Sequence, residues 1–317
     1  MEKKRTVDLI LLILIIICIF NISLYLILPS LYTFVWNDSL RSIIPNTEVF
    51  FRFITEFGGT LIYLALFFTI YWGINKKMAK NLLFVYVGSN FVNYYAKSII
   101  ARPRPPESNW LLISASHLST PSGHAQSSSV VWGYVALKSR NIVMWIFSLI
   151  IIFLIGLSRI YLGVHWLGDV LIGWLFGIVI LALVLILEEP FKSIAERHNT
   201  TSIYLGFALL GFIILIINEL LLPFEYNIGG PGGQLIGIGL GFAIEEKYIK
   251  FESTQNYSTP WKVITRILVG IILIAIIYLM IYLLLDTEIV WWNALLQIIT
   301  LLAGTVIWPF LFKKFNL

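Results

Sequence analysis

An all-α, polytopic transmembrane helix bundle is the fold class this sequence predicts. The first sign is composition: of 317 residues, 59% are hydrophobic and 12% charged, against roughly 45–50% apolar and about 25% charged in soluble domains. The second is run length, because Leu9 to Leu28, Ile142 to Leu157 and Val170 to Leu187 are almost wholly apolar and approach or reach the ~20 residues a helix needs to cross a bilayer. The third is the placement of Lys and Arg, which sorts to one side once the helices are threaded. A soluble globular protein is excluded.

Cutting the chain at charge clusters and turn residues gives the elements in order. The run 9–28 is too long and unbroken for a removed signal peptide and no small-residue cleavage pattern follows it, so it reads as a helix with Glu2-Lys3-Lys4-Arg5 in the cytoplasm. It contains the single cysteine, Cys18, so neither an intrachain disulfide nor a Cys-based metal site is available. In segment 37–57, Val49, Phe50, Phe51, Phe53, Ile54 and Phe57 suit an amphipathic helix lying in the interface after an Asn46 cap. Spanning helices follow over 58–75, 82–100, 124–138, 141–157 and 166–187, which with 9–28 make a six-helix core, residues 1–200. Helices over 202–222, 234–246, 263–285 and 293–312 make a C-terminal extension of about four, residues 201–317, with 124–138 and 234–246 shorter than usual. Asn227-Ile228-Gly229-Gly230-Pro231-Gly232-Gly233 reads as a turn before the short helix 234–246.

Ten crossings from a cytoplasmic N-terminus place Lys76, Lys77, Lys80, Lys138, Arg140, Lys192, Arg197, Lys247, Lys250, Lys262, Arg266, Lys313 and Lys314 inside with Lys3, Lys4 and Arg5. Only Arg41, Arg52, Lys97, Arg102, Arg104 and Arg159 fall outside. This asymmetry satisfies the positive-inside rule. The net charge of +5 is therefore topology, and nucleic acid is not an expected partner.

Four of the outer cations lie in two connecting segments, 97–123 and 158–165, and three polar clusters share that face. In the first, Lys97 ends a helix and Arg102-Pro103-Arg104-Pro105-Pro106 follows, a stiffened loop that holds guanidinium groups at low entropic cost. By itself it reads equally as a basic loop on lipid headgroups. In the second, Pro121-Ser122-Gly123-His124 opens a helix, where free backbone N–H groups and the dipole favour an anion and Gly123 permits close approach. Alone, Ser122 there is also a plain helix cap. In the third, Ser158-Arg159 precedes His165 and Asp169, which are four apart and share a helical face, so the carboxylate can hold one imidazole nitrogen while the other points away. A structural His–Asp pair would look the same. An acid one turn into an apolar helix requires a partner or a function.

Taken together the clusters read Lys-x6-Arg-Pro, Pro-Ser-Gly-His and Ser-Arg-x5-His-x3-Asp, in that order. This resembles the type 2 phosphatidic acid phosphatase superfamily, over residues 50–190, with no departure at a motif position. The resemblance implies a lipid phosphate phosphatase in which His165 attacks phosphorus, Asp169 orients it and His124 serves as acid and then base. It further implies that Lys97, Arg104, Ser122, Gly123 and Arg159 bind the phosphoryl oxygens, and that neither cofactor nor metal is required.

The expected substrate is a lipid phosphate or isoprenoid lipid diphosphate, hydrolysed at its terminal phosphate on the non-cytoplasmic side, with a polyprenyl diphosphate preferred to phosphatidic acid or phosphatidylglycerophosphate. A phosphotransferase using the same phosphohistidine, and a phospholipid or phosphate-ester transporter using the same basic pocket, are the alternatives.

Overall fold

The computed structural model describes residues 13, 16, 17, 20, 21, 36–112, 118–221, 229–253, 259–286 and 289–317. Nearly all of the expected helix 9–28, including Cys18, lies outside them, as do Asn227 and Ile228 of the expected turn.

The interfacial segment is two helices, α1 (Asn37–Ile43) and α2 (Glu48–Glu56). Asn46 is not the cap. It takes a left-handed conformation, φ 61°, in the turn between them, and Thr47 occupies the cap position of α2. Asparagine tolerates that backbone region better than most residues. The helices that follow are α3 (Thr60–Gly73), α4 (Lys76–Ile100), α5 (Gly123–Ser139), α6 (Ile142–Tyr161), α7 (Leu167–Arg197), α8 (Thr200–Leu221), α9 (Gly229–Ile244), α10 (Pro260–Leu284) and α11 (Val290–Lys314). A π turn, Glu245–Ile249, prolongs α9, and another, Ala303–Ile307, interrupts α11. The glycine run is not a turn: Gly229 to Gly233 form the first turn of α9, with Pro231 placed where its missing N–H has no intrahelical role.

Among the described residues, α6, α7, α8, α10 and α11 are long and apolar enough to cross a membrane, and α2 with α3, bent by 47°, counts as a sixth if taken as one broken span. Of the other expected spans, α4 and α5 are helical but polar, and α9 is apolar but only 16 residues long. In α5, residues 125–136 are all buried, so Gln126 and Ser127 to Ser129 face protein rather than hydrocarbon. In α4, polar side chains recur from Lys76 to Lys97.

Two compact units emerge, Met1–Tyr63 with Gly88–Glu188, and Leu64–Val87 with Glu189–Leu317. In the first, α6 packs on both α2 and α5, and Phe51 stacks on Tyr161 with ring centroids 4.3 Å apart. Here α7 lies close against the start of α5, because a Cβ on Gly173 would stand 2.7 Å from the Ser122 carbonyl oxygen. In the second, α9 packs between α8 and α11. Fully buried Glu245 pairs with Lys76 at 2.6 Å and Lys80 at 3.5 Å, while Lys80 bonds Glu246 at 2.8 Å. Buried Arg266 donates to the Trp72 carbonyl at 2.9 Å and lies over the Phe312 ring. Lys76 and Lys80 are thus paired within the fold, as buried charges must be, while Arg266 Nε has no hydrogen-bond partner among the described residues.

Candidate active site

The first unit gathers the three polar clusters. The chain leaves α4 at Ile100, one turn after Lys97, passes through the Arg102 to Pro106 loop, returns at Leu118 and starts α5 at Gly123, and the hairpin between α6 and α7 brings Arg159, His165 and Asp169 beside it. Trp166 Nε1 ties that hairpin to the Pro103 carbonyl at 3.0 Å. Arg41 pins its other end by donating to the carbonyls of Tyr161 and Asn109. Arg41 is thus a structural cation, and Arg52 pairs with Glu48 at 2.7 Å.

Asp169, wholly buried, is the best-held group of the site. Its carboxylate accepts from the hydroxyls of Ser119 and Thr120, from the Trp166 backbone N–H at 2.9 Å, and from His165 Nδ1 at 3.2 Å. The Arg102 guanidinium lies 3.8 Å away and over the Trp166 ring. Four donors and a nearby cation offset the cost of burying a carboxylate.

His165 is 4% exposed. Arg104 Nη1 stands 3.0 Å from its Nε2 and donates to the Val164 carbonyl at 2.8 Å. A guanidinium only donates, so Nε2 must be the acceptor and the ring proton must sit on Nδ1, facing Asp169. Burial first, and then the charges of Arg104, Lys97 and Arg159, hold the imidazole well below its ordinary pKa of 6.5. Neutral His165 therefore presents a lone pair on Nε2 at neutral pH. Burial also lowers Arg104 to about 10, which leaves it a cation there.

Lys97 donates to the carbonyls of Leu118 and Ser119, fixing the chain that leads into Ser122. Ser122 is the N-cap residue of α5 by position, yet its hydroxyl makes no capping bond. That hydroxyl and Arg159 Nε are buried polar atoms with no hydrogen-bond partner in the protein among the described residues. The Ser122 N–H is taken by the Asp169 carbonyl at 2.9 Å, which joins the two motifs through the backbone. Gly123 opens α5 with Asn93 behind it. The Asn93 amide bonds the Pro121 carbonyl at 3.3 Å and Gln126 at 2.8 Å. His124 makes no hydrogen bond from its ring among the described residues, and a Cβ on Gly58 would come within 2.9 Å of its Cδ2.

All eight expected residues, Lys97, Arg104, Ser122, Gly123, His124, Arg159, His165 and Asp169, thus belong to one unit. Sequence reasoning missed Ser119 and Thr120 as holders of Asp169, Asn93 behind Gly123, and Thr55, whose Oγ1 accepts from Arg159 Nη1 at 2.7 Å. Ser119-Thr120 directly precede the Pro121-Ser122-Gly123-His124 motif, and that adjacency was the one signal available for them. Chemically the arrangement is a neutral imidazole backed by a carboxylate, ringed by Lys97, Arg104 and Arg159 and by an unbonded hydroxyl, and suits attack on an anionic centre.

Comparison with known proteins places the motifs in context. Residues 78–192 match the PAP2 superfamily, and residues 230–317 match the PAP2 superfamily phosphatase transmembrane extension. The chain is 30% identical to sphingosine-1-phosphate phosphatase 1 of Rattus norvegicus over 61% of its own length and 46% of the relative's. It is 30% identical to phosphatidylglycerophosphatase B of Bacillus subtilis over 37% of its length and 61% of the relative's. With undecaprenyl-diphosphatase of Sulfolobus acidocaldarius the identity is 36%, over 34% of this chain and 46% of the other. The chain spans about half the length of the sphingosine-1-phosphate phosphatases it matches. All three motifs lie within the matched region 78–192, and the helices beyond 229 match the extension, so the chain carries a PAP2 superfamily domain followed by the PAP2 phosphatase transmembrane extension in an integral, multi-pass membrane protein.

Proposed function

We propose that the protein is a lipid phosphate phosphatase that removes a terminal phosphate through a phosphohistidine intermediate. The observation that carries this reading is the chain Arg104 to His165 to Asp169, which leaves a lone pair on Nε2 of a neutral, buried histidine. In the first step Nε2 forms a bond to phosphorus while the bond from phosphorus to the leaving oxygen breaks, and His124 gives that oxygen a proton. Asp169 stabilises the charge that develops on the ring. In the second step His124 takes a proton from water, the water oxygen bonds to phosphorus, the P–N bond breaks and free phosphate leaves. Arg104 turns from Nε2 to the phosphoryl oxygens when substrate binds, joined by Lys97, Arg159, the Ser122 hydroxyl and the Gly123 N–H.

The relatives act, by name, on sphingosine 1-phosphate, phosphatidylglycerophosphate and undecaprenyl diphosphate, which supports a phosphate carried on a membrane-embedded tail. A polyprenyl diphosphate is the first choice, followed by phosphatidic acid or phosphatidylglycerophosphate. The Lys and Arg asymmetry favours a cytoplasmic N-terminus and a site on the non-cytoplasmic face. Catalysis belongs to the core, residues 1–200, with residues 201–317 as an extension to it.

The test is phosphate release by the purified chain in EDTA, offered a polyprenyl diphosphate, phosphatidic acid and a soluble phosphomonoester, with His165→Ala alongside. Release that vanishes in the variant supports the mechanism, and the order of substrates chooses the lipid. Activity that chelation abolishes and one divalent ion restores counts against it. Label appearing on an added lipid or sugar hydroxyl instead of as free phosphate identifies a transferase.

A further inference from the structure

Outside the matched region 78–192, one segment touches the site at two points. Helix α2 ends at Thr55-Glu56, and Gly58 follows two residues later. Thr55 is 3% exposed and its Oγ1 accepts from Arg159 Nη1 at 2.7 Å. Gly58 backs the His124 ring. The helix is held firmly enough to act as a reference: Phe51 stacks on Tyr161, two residues beyond Arg159 on the last turn of α6, and Ile54 is buried beside it. Its opposite face carries Val49, Phe50 and Phe53, all exposed, as suits an interfacial helix.

We propose that Thr55 is a positioning residue for Arg159, so that the amphipathic helix upstream of the matched region completes the phosphate-binding site. The argument rests on donor arithmetic and on the site's reading as a phosphate site. A guanidinium offers five N–H donors in a rigid fork. Arg159 spends one on Thr55, and its Nε has no partner in the protein. Anchoring one terminal nitrogen fixes the plane of the fork and so aims the remaining donors at one point. Without the anchor, a long buried side chain regains rotamers, and each must be frozen again when phosphate binds.

The experiment measures binding of inorganic phosphate to the purified full chain by calorimetry, alongside lipid phosphate hydrolysis. The variants are Thr55→Val, Thr55→Ser, Arg159→Ala and the Thr55→Val/Arg159→Ala pair. Thr55→Val, nearly the same shape without the acceptor, is expected to weaken phosphate binding about tenfold, the usual scale for a hydrogen bond to a charged group. Thr55→Ser restores it, and adding Thr55→Val to Arg159→Ala changes nothing further, a coupling that a merely structural role would not produce. Unchanged binding in Thr55→Val, or an equal decrement with and without Arg159, overturns the proposal. Thr55→Ala carries the same comparison if Thr55→Val does not fold. Phosphate binding that follows this pattern in a protein that hydrolyses no phosphate ester would sink the phosphatase reading and leave the role of Thr55 standing. Wild-type protein that binds no phosphate sinks both.

Discussion

Arg104 Nη1 and His165 Nε2 lie 3.0 Å apart, and this single contact fixes the protonation of the site. A group that only donates forces the nitrogen it faces to accept. The imidazole proton is thereby assigned to Nδ1, where Asp169 Oδ2 receives it at 3.2 Å. The same guanidinium covers the lone pair in the free protein, and under the proposed mechanism it turns from there to the incoming phosphoryl group.

Asp169→Asn should therefore be far more harmful than its size suggests. Every neighbour of the carboxylate is a donor: Ser119, Thr120, the Trp166 N–H and His165 Nδ1. An amide turns two donors of its own into that set and disfavours the Nδ1–H tautomer. The expected loss is about 10³–10⁴-fold in kcat, as for the equivalent change in a Ser-His-Asp triad, with a smaller effect on KM. Steady-state kinetics on the folded variant checks it, and a loss below tenfold would remove Asp169 from the mechanism.

The pH profile follows from the same environment. Burial and three cations lower the His165 pKa well below 6.5, so the nucleophile stays neutral as the pH falls through the ordinary histidine range. Only below that range does it protonate and lose its lone pair. The acid limb of kcat/KM, which reports the free protein, should lie below pH 6.5. Profiles with two substrates that differ in phosphate pKa separate this from substrate ionisation. A limb that stays at or above 6.5 with both substrates contradicts a neutral His165.

The helices were legible because hydrocarbon-length apolar runs and glycine or charge boundaries mark them directly. The expected 141–157 and 263–285 agree with α6 and α10 to within four residues at each end for this reason. Lipid exposure was not legible for α5: Gln126 and Ser127 to Ser129 look like a polar helix until Gln126 is seen to bond Ser89 and Asn93 of α4, Ser127 to bond Asn90 there, and Ser129 to lie against Gly177 of α7. The eight site residues were legible because their spacing repeats a family pattern. Thr55 and Gly58 carry no such pattern, and only the packing of α2 on α6 brings them to Arg159 and His124.

Glu245 in the second unit offers a stability test away from the chemistry. It is fully buried, pairs with Lys76 and Lys80, and accepts from the Phe251 N–H at 3.2 Å. Glu245→Gln takes the counter-charge from Lys76 and leaves Lys80 with Glu246 alone, and breaking a buried pair costs about 3–5 kcal/mol. Thermal unfolding in detergent should show a clear drop in Tm. Turnover at a temperature where the variant is folded should be retained, because all eight site residues belong to the other unit. Loss of turnover in folded protein would give the extension a direct part in the chemistry.

Gly58→Ala tests the assignment of His124 as the proton donor. The added Cβ would stand 2.9 Å from both His124 Cδ2 and Ile155 Cγ2, distances that real side chains do not tolerate, so the ring must shift by several tenths of an ångström. Displacements approaching 1 Å cost about 10²-fold in rate when the displaced group is catalytic. A lipid alkoxide is a poor leaving group and needs the proton, whereas p-nitrophenolate leaves unaided. Gly58→Ala should therefore slow lipid phosphate hydrolysis by tenfold or more, on the order set by that misplacement, while sparing p-nitrophenyl phosphate. Equal losses on both substrates would mean that the displaced ring acts on the phosphoryl group or on its water, and the acid role would pass to another residue.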